Sequence, residues 1–90
     1  MDSTLKKTLK AQAHALKPVV LIGQLGLTSA VIAEIELALN SHELIKVRIR
    51  AEREERKLIS HKICAETGAS LVQSIGQICV LYRPNPGKKT

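Results

Sequence analysis

Pro18-Val19-Val20-Leu21-Ile22-Gly23-Gln24-Leu25-Gly26-Leu27-Thr28 reads as a strand, a Gly-x-x-Gly turn and the capped start of a helix. Four consecutive apolar residues, mostly β-branched, between Pro18 and Gly23 predict a strand covered on both faces. The two glycines let the backbone bend tightly and let another backbone approach without a Cβ in the way. Thr28 is placed to cap the following helix, and Leu27 to staple onto Ile32. A glycine loop that feeds a helix N-terminus can seat a phosphate, because free N–H groups and the helix dipole both favour an anion. Many such loops are simply turns, so the rest of the chain must supply the case for a ligand.

Working outward on the N-terminal side, Ser3 or Thr4 can cap a first helix with Leu5, Leu9, Ala13 and Leu16 as its apolar stripe. That helix cannot pass Lys17, since the residue before proline is pushed toward an extended conformation. On the C-terminal side a second helix spans about 29–39, with Val31, Ile32, Ile35 and Leu39 facing the core. Leu44-Ile45-Lys46-Val47-Arg48-Ile49-Arg50 then alternates cleanly, so Ile45, Val47 and Ile49 face the core and Lys46, Arg48 and Arg50 face the other way. A third helix covers 52–67, with Ile59, Ile63 and some of Leu58 and Cys64 buried and Gly68 as its C-terminal cap. Its opening run, Glu52-Arg53-Glu54-Glu55-Arg56-Lys57, reads as a solvated surface laced with local ion pairs. Residues 69–75 and 78–83 form two short strands around Gly76-Gln77, and 85–90 read as a flexible basic tail after a domain spanning 1–84.

The order is α-β-α-β-α-β-β. Right-handed crossovers place consecutive helices on one face of a sheet. The expected fold is therefore a compact single α/β domain, a four-stranded mixed sheet with helices mainly on one face. The other face would be open and would carry the Lys46, Arg48 and Arg50 ladder. Tyr82 shares that face by parity, either to contact a ligand or simply to pack.

Charge gives the ladder meaning. Fourteen Lys and Arg against eight acids leave a net charge of +6, the footprint of a polyanion binder. The bases cluster: residues 1–17 hold four lysines against Asp2, residues 46–62 hold seven bases against three acids, and residues 28–45 hold Glu34, Glu36 and Glu43 with no Lys or Arg. Rungs of the ladder are roughly 7 Å apart, inside a Debye length of about 8 Å, so they repel one another unless an anion intervenes. The chain has no Phe or Trp and a single Tyr, which excludes a platform of stacked aromatic rings. Any nucleic acid is gripped through phosphates, backbone amides and hydroxyls.

Other chemistry is poorly supplied. Cys64 and Cys79 have no C-x-x-C or zinc spacing, and His14, His42 and His61 are scattered over separate elements. No nucleophile elbow or facing carboxylate pair is present. The reading is of no enzyme, no metal, no cofactor and no small-molecule substrate. The N-terminus lacks a signal-peptide core and no run reaches the ~18 apolar residues of a membrane span, so the expected location is the cytoplasm.

Ala13-His14-Ala15-Leu16-Lys17-Pro18-Val19-Val20, Ile22-Gly23-Gln24-Leu25-Gly26-Leu27-Thr28, His42-Glu43-Leu44-Ile45-Lys46-Val47 and Leu81-Tyr82-Arg83-Pro84 together resemble the CRM domain, in its stand-alone bacterial form. The resemblance covers nearly the whole chain. It implies a fold similar to the C-terminal domain of bacterial translation initiation factor three, RNA binding without catalysis, and association with precursor large ribosomal subunits through ribosomal RNA. It also implies that Gly23, Gln24, Leu25 and Gly26 act like the loop of KH domains. Many members carry a basic residue inside that loop, whereas this chain has Gln24 and Leu25. Charge would then come from Lys17, Lys46, Arg48, Arg50 and Arg83. A DNA-binding, nucleoid-type protein and a protein-binding adaptor are the alternatives that share these features.

Overall fold

The computed structural model describes residues 2–85. Its elements are α1 (Ser3–Ala13), β1 (Pro18–Ile22), α2 (Ser29–Ser41), β2 (Leu44–Ile49), α3 (Arg53–Thr67), β3 (Ser70–Ile75) and β4 (Ile78–Tyr82). The expected order holds throughout. The sheet runs β1-β2-β4-β3, with β1 parallel to β2 and the other two pairings antiparallel. Two successive pairings are antiparallel, so β3 runs parallel to β2 and α3 is a crossover like α2. Both crossovers advance across the sheet in the same direction, and their shared handedness puts α2 and α3 on one face.

The main core lies between that face and the two helices. Val20 and Ile22 of β1, Ile45, Val47 and Ile49 of β2, and Cys79 and Leu81 of β4 pack against Ile35, Leu39, Ile59 and Ile63. Ile22, Ile35, Leu39, Val47, Ile63 and Leu81 are completely buried, each worth roughly 1.5–3 kcal/mol of burial. The alternation of β2 is thus used as its sequence dictates. Its helix ends are also as expected. The Thr28 hydroxyl accepts from the Val31 N–H at 3.2 Å, and Gly68 closes α3 in the left-handed region at φ 75°.

The second face is only partly open. There α1 lies across the sheet, packing Leu9 and Ala13 on Val72 and Val80, with Leu44 and Tyr82 at the margin. Tyr82 does share the ladder's face, in a packing role. Asp2, not Ser3 or Thr4, caps α1, accepting from the Thr4 N–H at 3.0 Å. Leu5 and Leu16, expected in the helix's buried stripe, stay at its exposed margins, and Leu58 of α3 points to solvent while Cys64 is partly buried against the core.

Three further expectations are corrected. β1 lies at the edge of the sheet away from the strands that α1 covers, so only one of its faces is covered: Val20 and Ile22 are buried while Val19 and Leu21 are about half exposed, at 51% and 54%. An unbroken apolar run cannot distinguish a central strand from an edge strand whose outer face stays bare. The charge run opening α3 is not laced with ion pairs, because among the described residues the one ion pair is Arg83–Glu36. Asn85 is not loose. Its N–H donates to Glu43 Oε2 at 2.8 Å and its side-chain amide to the Leu39 carbonyl at 2.6 Å. The rest of the expected tail, 86–90, lies outside the described residues.

Candidate nucleic-acid interface

Every main-chain device at one end of the sheet follows from strand direction. β1 and β2 are parallel, so the glycine loop after β1 and the start of α3 after β2 emerge at the same end. The β3–β4 turn, Gly76-Gln77, lies there too: the Ile49 N–H donates to the Gln77 carbonyl at 2.7 Å. Arg50 continues the parallel pairing beyond β2, its N–H bonded to the Ile22 carbonyl at 2.9 Å.

The ladder divides by position. Lys46 is half-buried beside α1, and its ammonium donates to the Leu16 carbonyl at 3.1 Å. It also lines a pocket of about 190 Å³ with Lys10, His14 and Gln73, floored by Ile78 and Val80. Arg48 and Arg50 are exposed. They share a shallow depression with Lys17 and with Pro18, Val19, Val20 and Leu21 of the edge strand. Leu21 is the direct register partner of Arg48. The surface is thus a bare aliphatic strip ringed by three long cations. Arg48 also reaches the Gln77 side chain, with Nε 3.4 Å from Oε1. Four of the candidate residues, Lys17, Lys46, Arg48 and Arg50, therefore fall on one continuous side.

Arg83 does not join them. Its guanidinium donates to Glu36 at 2.8 Å, to the Thr67 carbonyl at 2.7 Å and to Asn40 at 2.8 Å. It sits one residue past Tyr82, so parity turns it to the α2–α3 side. There it clamps the two helices to the end of β4, and it leaves the list of candidate contacts. The sequence offered no sign of this, since Glu36, Asn40 and Thr67 meet Arg83 only through tertiary packing.

The glycine loop is a tight turn, with the Gly26 N–H bonded to the Gly23 carbonyl at 3.0 Å. Gly26 has φ 73°, a conformation that side chains with a Cβ adopt at a cost of about 1–2 kcal/mol. No atom lies within 4 Å of where a Cβ would be at Gly23 or Gly26, so close approach of another part of this chain is not what these glycines serve. Gln24 and Leu25 form the exposed tip, Leu25 being 90% exposed. Val19 and Leu21 are the surface residues that the sequence reading missed. They read as core residues of a covered strand, and only their exposure shows an apolar contribution beside the cations.

The thiols are unpaired, Cys79 buried in the main core and Cys64 packed against it. Burial pushes Cys79 up from 9.0 to about 12, the nearby Cys64 adding to it, and burial raises Cys64 as well. Both are therefore protonated near neutral pH and unsuited to nucleophilic work. Among the described residues no three His, Cys, Asp or Glu side chains gather to hold a metal ion, and no helix is long and apolar enough to cross a membrane.

Comparison with known proteins agrees with this architecture. The chain is 55% identical over 85 residues to a Haemophilus influenzae protein named RNA-binding protein, covering 93% of this chain and 86% of the relative. It is 49% identical over 82 residues to the probable RNA-binding protein of Pseudomonas aeruginosa, covering 90% and 79%. The solution structure of a hypothetical Staphylococcus aureus protein, described as an RNA-binding candidate, superposes with a TM-score of 0.85 at 30% identity, covering 99% of this chain and 94% of that one. The model of the CRS1/YhbY (CRM) domain matches residues 1–83, and the chain belongs to that family.

Proposed function

We propose that this protein is a non-catalytic RNA-binding protein that acts in maturation of the large ribosomal subunit by holding precursor ribosomal RNA. One observation carries the binding mode: Lys17, Arg48 and Arg50 ring the exposed aliphatic surface of Val19 and Leu21, with Arg48 and Arg50 toward the sheet end where the glycine loop emerges. Cations so placed neutralise phosphates, while the aliphatic strip accepts the apolar face of a base or ribose where no aromatic ring is available. The loop adds main-chain amides at the start of α2. Relatives named as RNA-binding proteins support RNA over DNA as the polyanion. The ribosomal assignment rests on the CRM family resemblance.

Two measurements test the reading. Competition for binding between structured ribosomal RNA and duplex DNA should favour the RNA. Crosslinking in cells followed by sequencing of the attached RNA should enrich large-subunit ribosomal sequences. Preference for duplex DNA, or binding that persists at high salt after nuclease treatment, overturns it.

A further inference from the structure

The charge run at the start of α3 is sorted by the helix. Arg53, Arg56, Lys57, Ser60 and His61 are spaced i, i+3, i+4, i+7, i+8, so they share one stripe. That stripe forms one wall of a groove whose other wall is Leu71 and Ser74 of β3 with Gly76 of the turn. Glu52, Glu54 and Glu55 do not line it. Lys62 and Glu66 lie on another flank, in a separate depression with Leu27 and Ile32.

No ion pair among the described residues neutralises the groove: none of Arg53, Arg56 and Lys57 forms one. Arg56 donates to the Ala51 carbonyl at 2.8 Å, a neutral acceptor that leaves its charge in place. The opposite wall is an edge strand, because β3 pairs only with β4. An unpaired strand edge offers main-chain N–H donors, and Ser74 is exposed. Two or three uncompensated cations facing hydroxyls and free amides make an anion-binding wall.

The groove also continues the surface described above. Gln77 holds the Arg48 guanidinium on one side of the turn, while its neighbour Gly76 lines the α3 groove on the other. We infer that the α3–β3 groove is a second phosphate-binding tract, and that one RNA strand passes from the Arg48–Arg50 surface over the Gly76-Gln77 turn into it. The inference rests on the RNA reading proposed above and extends it to a face that the basic ladder does not reach.

The test compares three variants of the full chain, each checked by thermal melting. They are R53Q/K57Q in the groove, R48Q/R50Q on the ladder, and Lys62→Gln on another flank of α3. Arg56 is left intact because it bonds to the helix start. Affinity for a fluorescein-labelled fragment of large-subunit ribosomal RNA is measured over about 50–200 mM salt. R53Q/K57Q should flatten the plot of log affinity against log salt by about 1.4 units, at about 0.7 for each lost contact to single-stranded RNA, while Lys62→Gln leaves it unchanged. An unchanged slope in R53Q/K57Q alongside a flattened one in R48Q/R50Q overturns the groove and leaves the RNA reading standing. Equal flattening per charge by Lys62→Gln also overturns it, since any surface cation would then serve. A wild-type protein that fails to bind the RNA overturns both.

Discussion

The ammonium of Lys46 lies 3.1 Å from the main-chain carbonyl of Leu16, so the first rung of the basic ladder is fastened to the junction between α1 and β1. Three residues that are equivalent by parity are thereby made unequal. Lys46 steadies the first helix on the sheet, while Arg48 and Arg50 stay exposed beside the bare edge of β1.

A division of labour within the ladder follows. R48Q/R50Q should flatten the salt dependence of RNA binding by about 1.4 units with a stability change within about 0.5 kcal/mol. Lys46→Met should lower stability by about 1 kcal/mol through the lost bond to Leu16. Its effect on the salt slope should be smaller than that of either arginine. Urea melts and anisotropy titrations on the same samples separate the two effects, and equal slope changes for all three residues would contradict this division.

Within the glycine loop the two glycines should behave differently. Gly26→Ala should lower stability by about 1–2 kcal/mol, because φ 73° is strained for any residue with a Cβ. Gly23→Ala meets no atom within 4 Å and should stay within about 0.5 kcal/mol of wild type. Gly23→Asp should fold normally yet bind RNA more weakly, as its carboxylate competes with phosphate at the loop. Wild-type affinity in a folded Gly23→Asp protein removes the loop from the interface.

Leu25 offers the converse test. At 90% exposure it contributes little to the core, so Leu25→Lys should leave the melting curve unchanged. If the loop lies against the RNA backbone, the added charge should steepen the salt slope by about 0.7 units and tighten binding at low salt. No change in either quantity would place the loop tip away from the RNA.

Arg83 should prove structural. Arg83→Leu removes charge-assisted bonds to Glu36 and Thr67, and should cost about 1–3 kcal/mol, the lower part of that range applying because Glu36 is partly solvated. The salt slope of RNA binding should not move. A flattened slope with unchanged stability would return Arg83 to the interface.

The thiols set an alkaline limit. Cys79 titrates at about 12 when folded against 9.0 ordinarily, so between those values the unfolded chain has lost a proton that the folded chain keeps. Stability therefore falls as pH rises above about 9, by up to about 1.4 kcal/mol per pH unit from this group. Below pH 9 neither state ionises and the contribution is flat. Cys79→Ala should lower stability near neutrality by leaving a small void, while making the decline above pH 9 shallower. Urea melts across that range, run with reductant, give the comparison.

Elements and their order were legible because they depend on local pattern. Alternation in 44–50 fixes a half-buried strand, Thr28 and Gly68 fix helix ends, and Pro18 stops the first helix from running on. Parity alone placed Lys46, Arg48 and Arg50 on one face and set Tyr82 beside them. Those properties need only the two periodicities of helix and strand. What the sequence could not reveal is which element covers which surface. An apolar run such as Val19–Ile22 looks the same at an edge as in the middle of a sheet. Whether Leu21 is core or surface depends on α1 covering the second face over β3 and β4 and leaving it bare over β1. Likewise, a basic residue looks the same whether it is exposed, like Arg50, bonded to a carbonyl, like Lys46, or locked into an ion pair, like Arg83. Partners dozens of residues away decide that, and packing alone brings them together.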